Sequence, residues 1–92
     1  MTKLFDAARY IDTPEAEAQM LSDALATGNA GHIAHVLGVI ARARSMTELA
    51  RKTGISRANL YAALSENGNP TLETLTKITE ALGLKLSAQA AE

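Results

Sequence analysis

Arg57 and Asn59 carry the most specific chemistry in this 92-residue sequence. A guanidinium can donate two parallel hydrogen bonds to guanine O6 and N7, and a carboxamide can pair with an adenine edge or hold a phosphate. Ala58, between them, is small enough to meet a thymine methyl, and Tyr61 can reach a phosphate or pack at the rim. Arg42, Arg44, Arg51, Lys52 and Arg57 set five cations against the single anion Glu48. Lysines and arginines placed on phosphates release counterions, so such a cluster suits a nucleic-acid backbone. Read alone, it is a solvated charged face. The case therefore turns on what positions these side chains.

Competing chemistries are poorly supplied. His32 and His35, three apart on one helix, could both touch a metal, but no third ligand follows at compatible spacing. Ser56 and Ser65 lack a placed base, and neither a glycine-rich phosphate loop nor a catalytic carboxylate pair is present. With no cysteine, the chain has no disulfide, thiol nucleophile or thiolate metal site, which suits a reducing cytoplasm. The sequence thus reads as a non-enzyme without cofactor or metal. No apolar run approaches a membrane span, and residues 1 to 6 lack the basic-then-apolar order of a signal peptide.

The positioning elements can be read residue by residue. Ser45 and Glu48 have the spacing of a capping box, each side chain able to satisfy a backbone N–H of the other, and predict a helix over 46–52. Leu49 points inward there, and Ala50 is small where a second helix must cross closely. Gly54 can take a left-handed conformation and turn the chain, and Ile55 plugs the corner. Ser56 caps a second helix whose Leu60 and Leu64 share a buried side. Arg57, Ala58, Asn59, Tyr61 and Ala62 are left facing outward. A helical pair hinged in this way is a helix-turn-helix, which lays its second helix in the DNA major groove.

Around the hairpin, Thr13-Pro14-Glu15 is a helix start, with Met20, Leu21, Ala24 and Leu25 on the apolar side and Gly28 as the stop. Asn29 caps the clearest helical stripe of the chain, Ile33, Val36, Leu37, Ile40 and Ala41. Gly38 inside it suggests that another backbone passes close. Asn67-Gly68-Asn69-Pro70 is turn chemistry, and Thr71 begins a helix with Leu72, Leu75, Ile78 and Leu82 inward, ended by Gly83. Residues 84–87 alternate as a short strand would, but a strand needs a partner, from the N-terminal segment or a second subunit. Residues 88–92 read as a frayed tail.

Hydrophobic residues make up 47% of the chain and aromatics only 3%, so the core is aliphatic and suits packed helices. The expected architecture is all-α: five helices, the hairpin third and fourth. Three stretches are expected: 1–28, an extension and helix for a contact with a partner or a second subunit; 29–88, the helix-turn-helix domain; and 89–92, the tail. The net charge of -1 hides an asymmetry. Residues 1–30 carry two cations against five anions, and residues 31–92 seven against five.

Over nearly its whole length the sequence resembles the Cro/CI-type (Xre) helix-turn-helix family, and within it the addiction-module antidote proteins, the HigA-like antitoxins. The resemblance is carried by Ala41-Arg42-Ala43-Arg44-Ser45-Met46, Leu49-Ala50 with Gly54, Ser56-Arg57 with Leu60-Tyr61, Ala63-Leu64-Ser65-Glu66, Gly68-Asn69-Pro70-Thr71, and Ala81-Leu82-Gly83-Leu84 with Leu86-Ser87. The extension over residues 5–13 also resembles this subfamily. It implies a lambda-repressor-like bundle and a small cytoplasmic antitoxin that neutralises a RelE/ParE-like toxin and represses their shared promoter. The alternative is a stand-alone Xre-type regulator or protein-interaction module without a toxin.

In the family, phage-type members often place Gln after the first cap; here Met46 stands there, leaving the backbone N–H groups of Met46 and Thr47 to hold the phosphate. The recognition helix begins Arg57-Ala58 instead of with paired glutamines, so no operator sequence carries over. The expected DNA-facing set is Arg44, Met46, Thr47, Ser56, Arg57, Ala58, Asn59, Tyr61, Asn67 and Asn69. Of these, Arg44, Thr47, Asn67 and Asn69 position the backbone. A homodimer would set two recognition helices roughly 34 Å apart on a palindromic operator in double-stranded DNA. The acidic excess of residues 1–30 would face a basic toxin. The apolar residues Leu4, Phe5, Tyr10, Ile11, Met20 and Leu21 could instead cover the core or a dimer contact.

Overall fold

Every helix among the described residues starts on a side-chain cap three residues ahead of the N–H it satisfies, which lets a sequence poor in aromatics define these helices sharply. The structure, a computed structural model, describes residues 13–91. Helix α1 spans Pro14–Ala26, with Thr13 Oγ1 accepting from Ala16 N at 3.1 Å. Helix α2 spans Ala30–Arg44, its cap Asn29 accepting from His32 N at 2.9 Å. Helices α3 (Met46–Thr53), α4 (Arg57–Ala63) and α5 (Leu72–Ala81) follow, capped by Ser45, Ser56 and Thr71. The described chain is thus an all-helical bundle of five helices with the hairpin third and fourth, as the sequence predicts.

One core joins them. Leu37, Ile40, Leu60 and Ile78 are completely buried, and Leu21, Ala24, Leu49, Leu64 and Leu82 close around them. Because Leu21 and Ala24 belong to this cluster, it runs across the 28/29 boundary. Gly38 has the neighbour its sequence position suggests: a Cβ there would lie 2.6 Å from the Leu64 carbonyl oxygen.

Four expectations need correction or restriction. The Ser45/Glu48 box is only half made: Ser45 Oγ accepts from Glu48 N at 3.1 Å, but the Ser45 N–H is already bonded to Ala41 O at 2.9 Å. Helix α2 runs directly into the cap and supplies that carbonyl, so Glu48 turns to Arg51 instead. Leu72 does not point inward; it is 75% exposed. It is the first residue of α5, directly after the cap Thr71, and the inward stripe starts one turn later at Leu75.

No strand is present among the described residues. Leu84 N bonds to Thr79 O at 2.9 Å and Leu84 is buried, but beyond it no backbone hydrogen bond is made among the described residues, where no second strand lies alongside. The readings placed on residues 1–12, including Leu4, Phe5, Asp6, Tyr10, Ile11 and Asp12, lie outside the described residues.

The Ser45 cap gives a direct test of how α3 is held. Ser45→Ala is expected to cost about 1 kcal/mol, the usual loss for a missing cap. Thermal melts followed by circular dichroism would show it as a fall of several degrees with no change in helix content at low temperature. An unchanged midpoint would mean that packing alone holds α3.

Candidate nucleic-acid interface

The hinge between α3 and α4 is built as the residue types dictate. Gly54 takes φ 76°, and its N–H returns to Ala50 O at 2.9 Å, closing α3 in the left-handed conformation that glycine adopts at least cost. Thr53 Oγ1 donates to Leu49 O at 2.8 Å and accepts from Ile55 N at 3.2 Å, bracing the turn from the other side. Ile55 is half-buried against the core. Ser56 then caps α4, accepting from Asn59 N at 3.1 Å. Leu60 has no exposed surface and Leu64 almost none, so the roll of α4 about its axis is fixed.

That roll turns a defined set outward. Ser56, Arg57, Ala58, Asn59, Tyr61 and Ala62 are all exposed. The Arg57 guanidinium carbon lies 5.8 Å from the centroid of the Tyr61 ring, a cation–π distance across one helical turn. The ring thereby restrains an otherwise flexible side chain at the helix start. Among the described residues, Arg42, Lys52 and Arg57 have no carboxylate partner.

The remaining expected residues are placed differently. Met46 is buried, so its side chain is part of the core and only its backbone is available. Ser45 takes the N–H groups of Glu48 and Leu49 through its Oγ and its carbonyl. The Met46 and Thr47 N–H groups have no acceptor among the described residues, and Thr47 is exposed. They are the free donors of the α3 first turn. Asn67 and Asn69 are exposed on the loop between α4 and α5.

Arg44 turns away from this set. Its Nε donates to Glu17 Oε2 at 2.8 Å, while Nη2 donates to Glu17 Oε1 and to the Leu82 carbonyl at 2.7 Å. The guanidinium thus ties α1 to the C-terminal cap of α5. Glu17 is completely buried, which removes it from the exposed acidic residues of the N-terminal third. A sequence signal for this pair exists: Glu17 falls on the stripe of Met20, Leu21 and Ala24, where a charge must find a buried partner.

Arg51 is likewise engaged, donating from Nη2 to Glu48 Oε1 at 2.6 Å. That hydrogen bond, with the Arg51 charge, holds the Glu48 carboxyl below its usual range and raises Arg51 in turn. Two of the five cations are therefore spoken for, and the electrostatic argument rests on the other three. His35 Nδ1 lies 3.8 Å from Glu66 Oε2, and no group of three His, Cys, Asp or Glu residues suited to a metal occurs among the described residues.

Residues 1–90 match the family described as "Probable addiction module antidote protein". The chain belongs to that family. An antidote implies a toxin as partner, and the chain is accordingly an antidote of an addiction module. A Haemophilus influenzae protein, described only as an uncharacterized protein, is 44% identical over 87 residues, covering 95% of this chain and 90% of the relative. No solved structure matches the chain. Among the described residues of the antidote, no helix is long and apolar enough to cross a membrane.

Proposed function

We propose that this antidote is a cytoplasmic, non-enzymatic DNA-binding protein of the Xre type, HigA-like in its layout, which represses its own promoter as a homodimer and neutralises a RelE/ParE-like toxin. The observation that supports this reading is the outward face of α4. Buried Leu60 and Leu64 present Arg57, Ala58, Asn59 and Tyr61 to solvent on a capped helix behind a left-handed glycine. In the proposed complex Arg57 pairs with a guanine, Ala58 meets a thymine methyl, and Asn59 pairs with an adenine or a phosphate. The Met46 and Thr47 N–H groups, Asn67 and Asn69 grip the sugar-phosphate backbone and set the register. Arg44, engaged with Glu17, is left out of that grip. The toxin-facing surface is proposed at the N-terminal end, where Glu15 and Asp23 are exposed on α1.

Arg57→Ala tests the reading. In a mobility-shift assay on the promoter upstream of the chain's own reading frame, the substitution should cost about 1 to 3 kcal/mol and relax preference at one base position. Full retained affinity with the same preferred sequence would refute the assignment. The fold is not at risk, since Arg57 is exposed and has no ion-pair partner among the described residues.

A further inference from the structure

We infer that Gly31 is a positioning residue for the loop carrying Asn67 and Asn69, an inference that rests on the DNA-binding reading above. Gly31 and Gly38 stand seven residues apart on one side of α2, about two helical turns. The chain leaving α4 passes over both. A Cβ at Gly38 would lie 2.6 Å from the Leu64 carbonyl oxygen, and a Cβ at Gly31 would lie 2.6 Å from the Glu66 carbonyl oxygen. Both obstacles are backbone atoms, so no rotamer change relieves them. Neither glycine has a positive φ, so each occupies an ordinary helical conformation in which alanine is the better helix former. What glycine supplies at these positions is room.

The two seats act on different parts of the hairpin. Gly38 is buried and receives the end of α4, whose Leu64 is locked in the core. Gly31 lies in the first turn of α2, half-exposed, and receives the residue immediately before Asn67. His35 Nδ1 of the same helix lies 3.8 Å from the Glu66 carboxylate. An alanine at 31 would leave its Cβ about 0.8 Å short of the 3.4 Å of ordinary contact, and the Glu66 carbonyl must give way. Hydrogen bonds tolerate a donor–acceptor range of only about 0.5 Å. A shift of that size takes the Asn67 and Asn69 carboxamides off their phosphates, while Arg57, anchored through Leu60, stays in place.

This predicts a signature that a merely structural glycine would not give. On the promoter duplex, Gly31→Ala should bind on the order of a hundredfold more weakly, the size of two lost hydrogen bonds to charged groups. Base preference and salt slope should stay unchanged, because no base contact and no cation is lost. The thermal midpoint should fall by no more than a few degrees, since the carbonyl that must give way lies in an exposed loop, and the variant should be fully folded at the assay temperature. The exposed double variant Asn67→Ala/Asn69→Ala should lose affinity likewise, and adding Gly31→Ala to it should cost nothing more.

Wild-type binding with no loss in Gly31→Ala would overturn the inference while leaving the DNA-binding reading intact. So would a further loss in the triple variant over the Asn67→Ala/Asn69→Ala double variant. No specific binding by the wild-type protein overturns both.

Discussion

Arg44→Ala should destabilise the fold by about 3 kcal/mol, the low end for breaking a buried ion pair. The reason lies with the residue left behind. Glu17 has no exposed surface, and its two carboxylate oxygens are held by the Nε and Nη2 of Arg44. Without the guanidinium, a carboxylate stays in the core with its charge uncompensated, and the Leu82 carbonyl loses its side-chain donor as well. The low end of the range applies because the Arg44 side chain keeps 34% of its surface in water. For a domain of this size the melting temperature should fall by more than about 10 °C. The double variant Glu17→Leu/Arg44→Met, which removes both charges, should recover most of the loss. A single variant melting within two or three degrees of wild type would show that the pair contributes little.

Leu60→Ala has the second large effect, about 2 to 5 kcal/mol, from lost apolar burial plus the cavity left in a completely enclosed site. Helix α4 has seven residues, well below the length at which a helix holds together in water, so it owes its existence to the two leucines that pin it. Urea unfolding should show a midpoint shifted down with little change of slope. Amide hydrogen exchange should show residues 57–63 losing protection first, since the weakened anchor is their own. Uniform loss of protection across the bundle would instead mean that α4 unfolds only with the whole molecule.

These two residues also mark what could be read in the sequence. Leu60 and Leu64 were legible because a cap, a glycine and an i, i+4 pair are local signals, and the outward set Arg57, Ala58, Asn59 and Tyr61 followed as their complement. The five helix starts among the described residues were legible for the same reason: each depends on a hydroxyl or carboxamide and an N–H three residues on. The pairing of Arg44 was not legible because its partner lies 27 residues away in the sequence. A basic residue beside a helix-turn-helix reads as a phosphate contact until Glu17 is noticed on an otherwise apolar stripe. Leu72 fits the period of α5, but period says nothing about whether the first turn of a helix has a neighbour to pack on. The Glu48 carboxylate was assigned to Ser45 because the box was read without the preceding helix, whose Ala41 carbonyl had already claimed that N–H. Gly31 gave no signal, since its neighbour is a carbonyl 35 positions further on.

Ser45 ends one helix and begins the next: its N–H goes back to Ala41, and its carbonyl and hydroxyl oxygens go forward to Leu49 and Glu48. A joint one residue long has no slack. The hairpin cannot swivel against α2 as a tethered module would; the two behave as a crank, with α2 as the shaft and α4 as the handle. A rotation of the shaft carries the exposed side chains of α4 with it, so the orientation of that face is set by whatever grips α2.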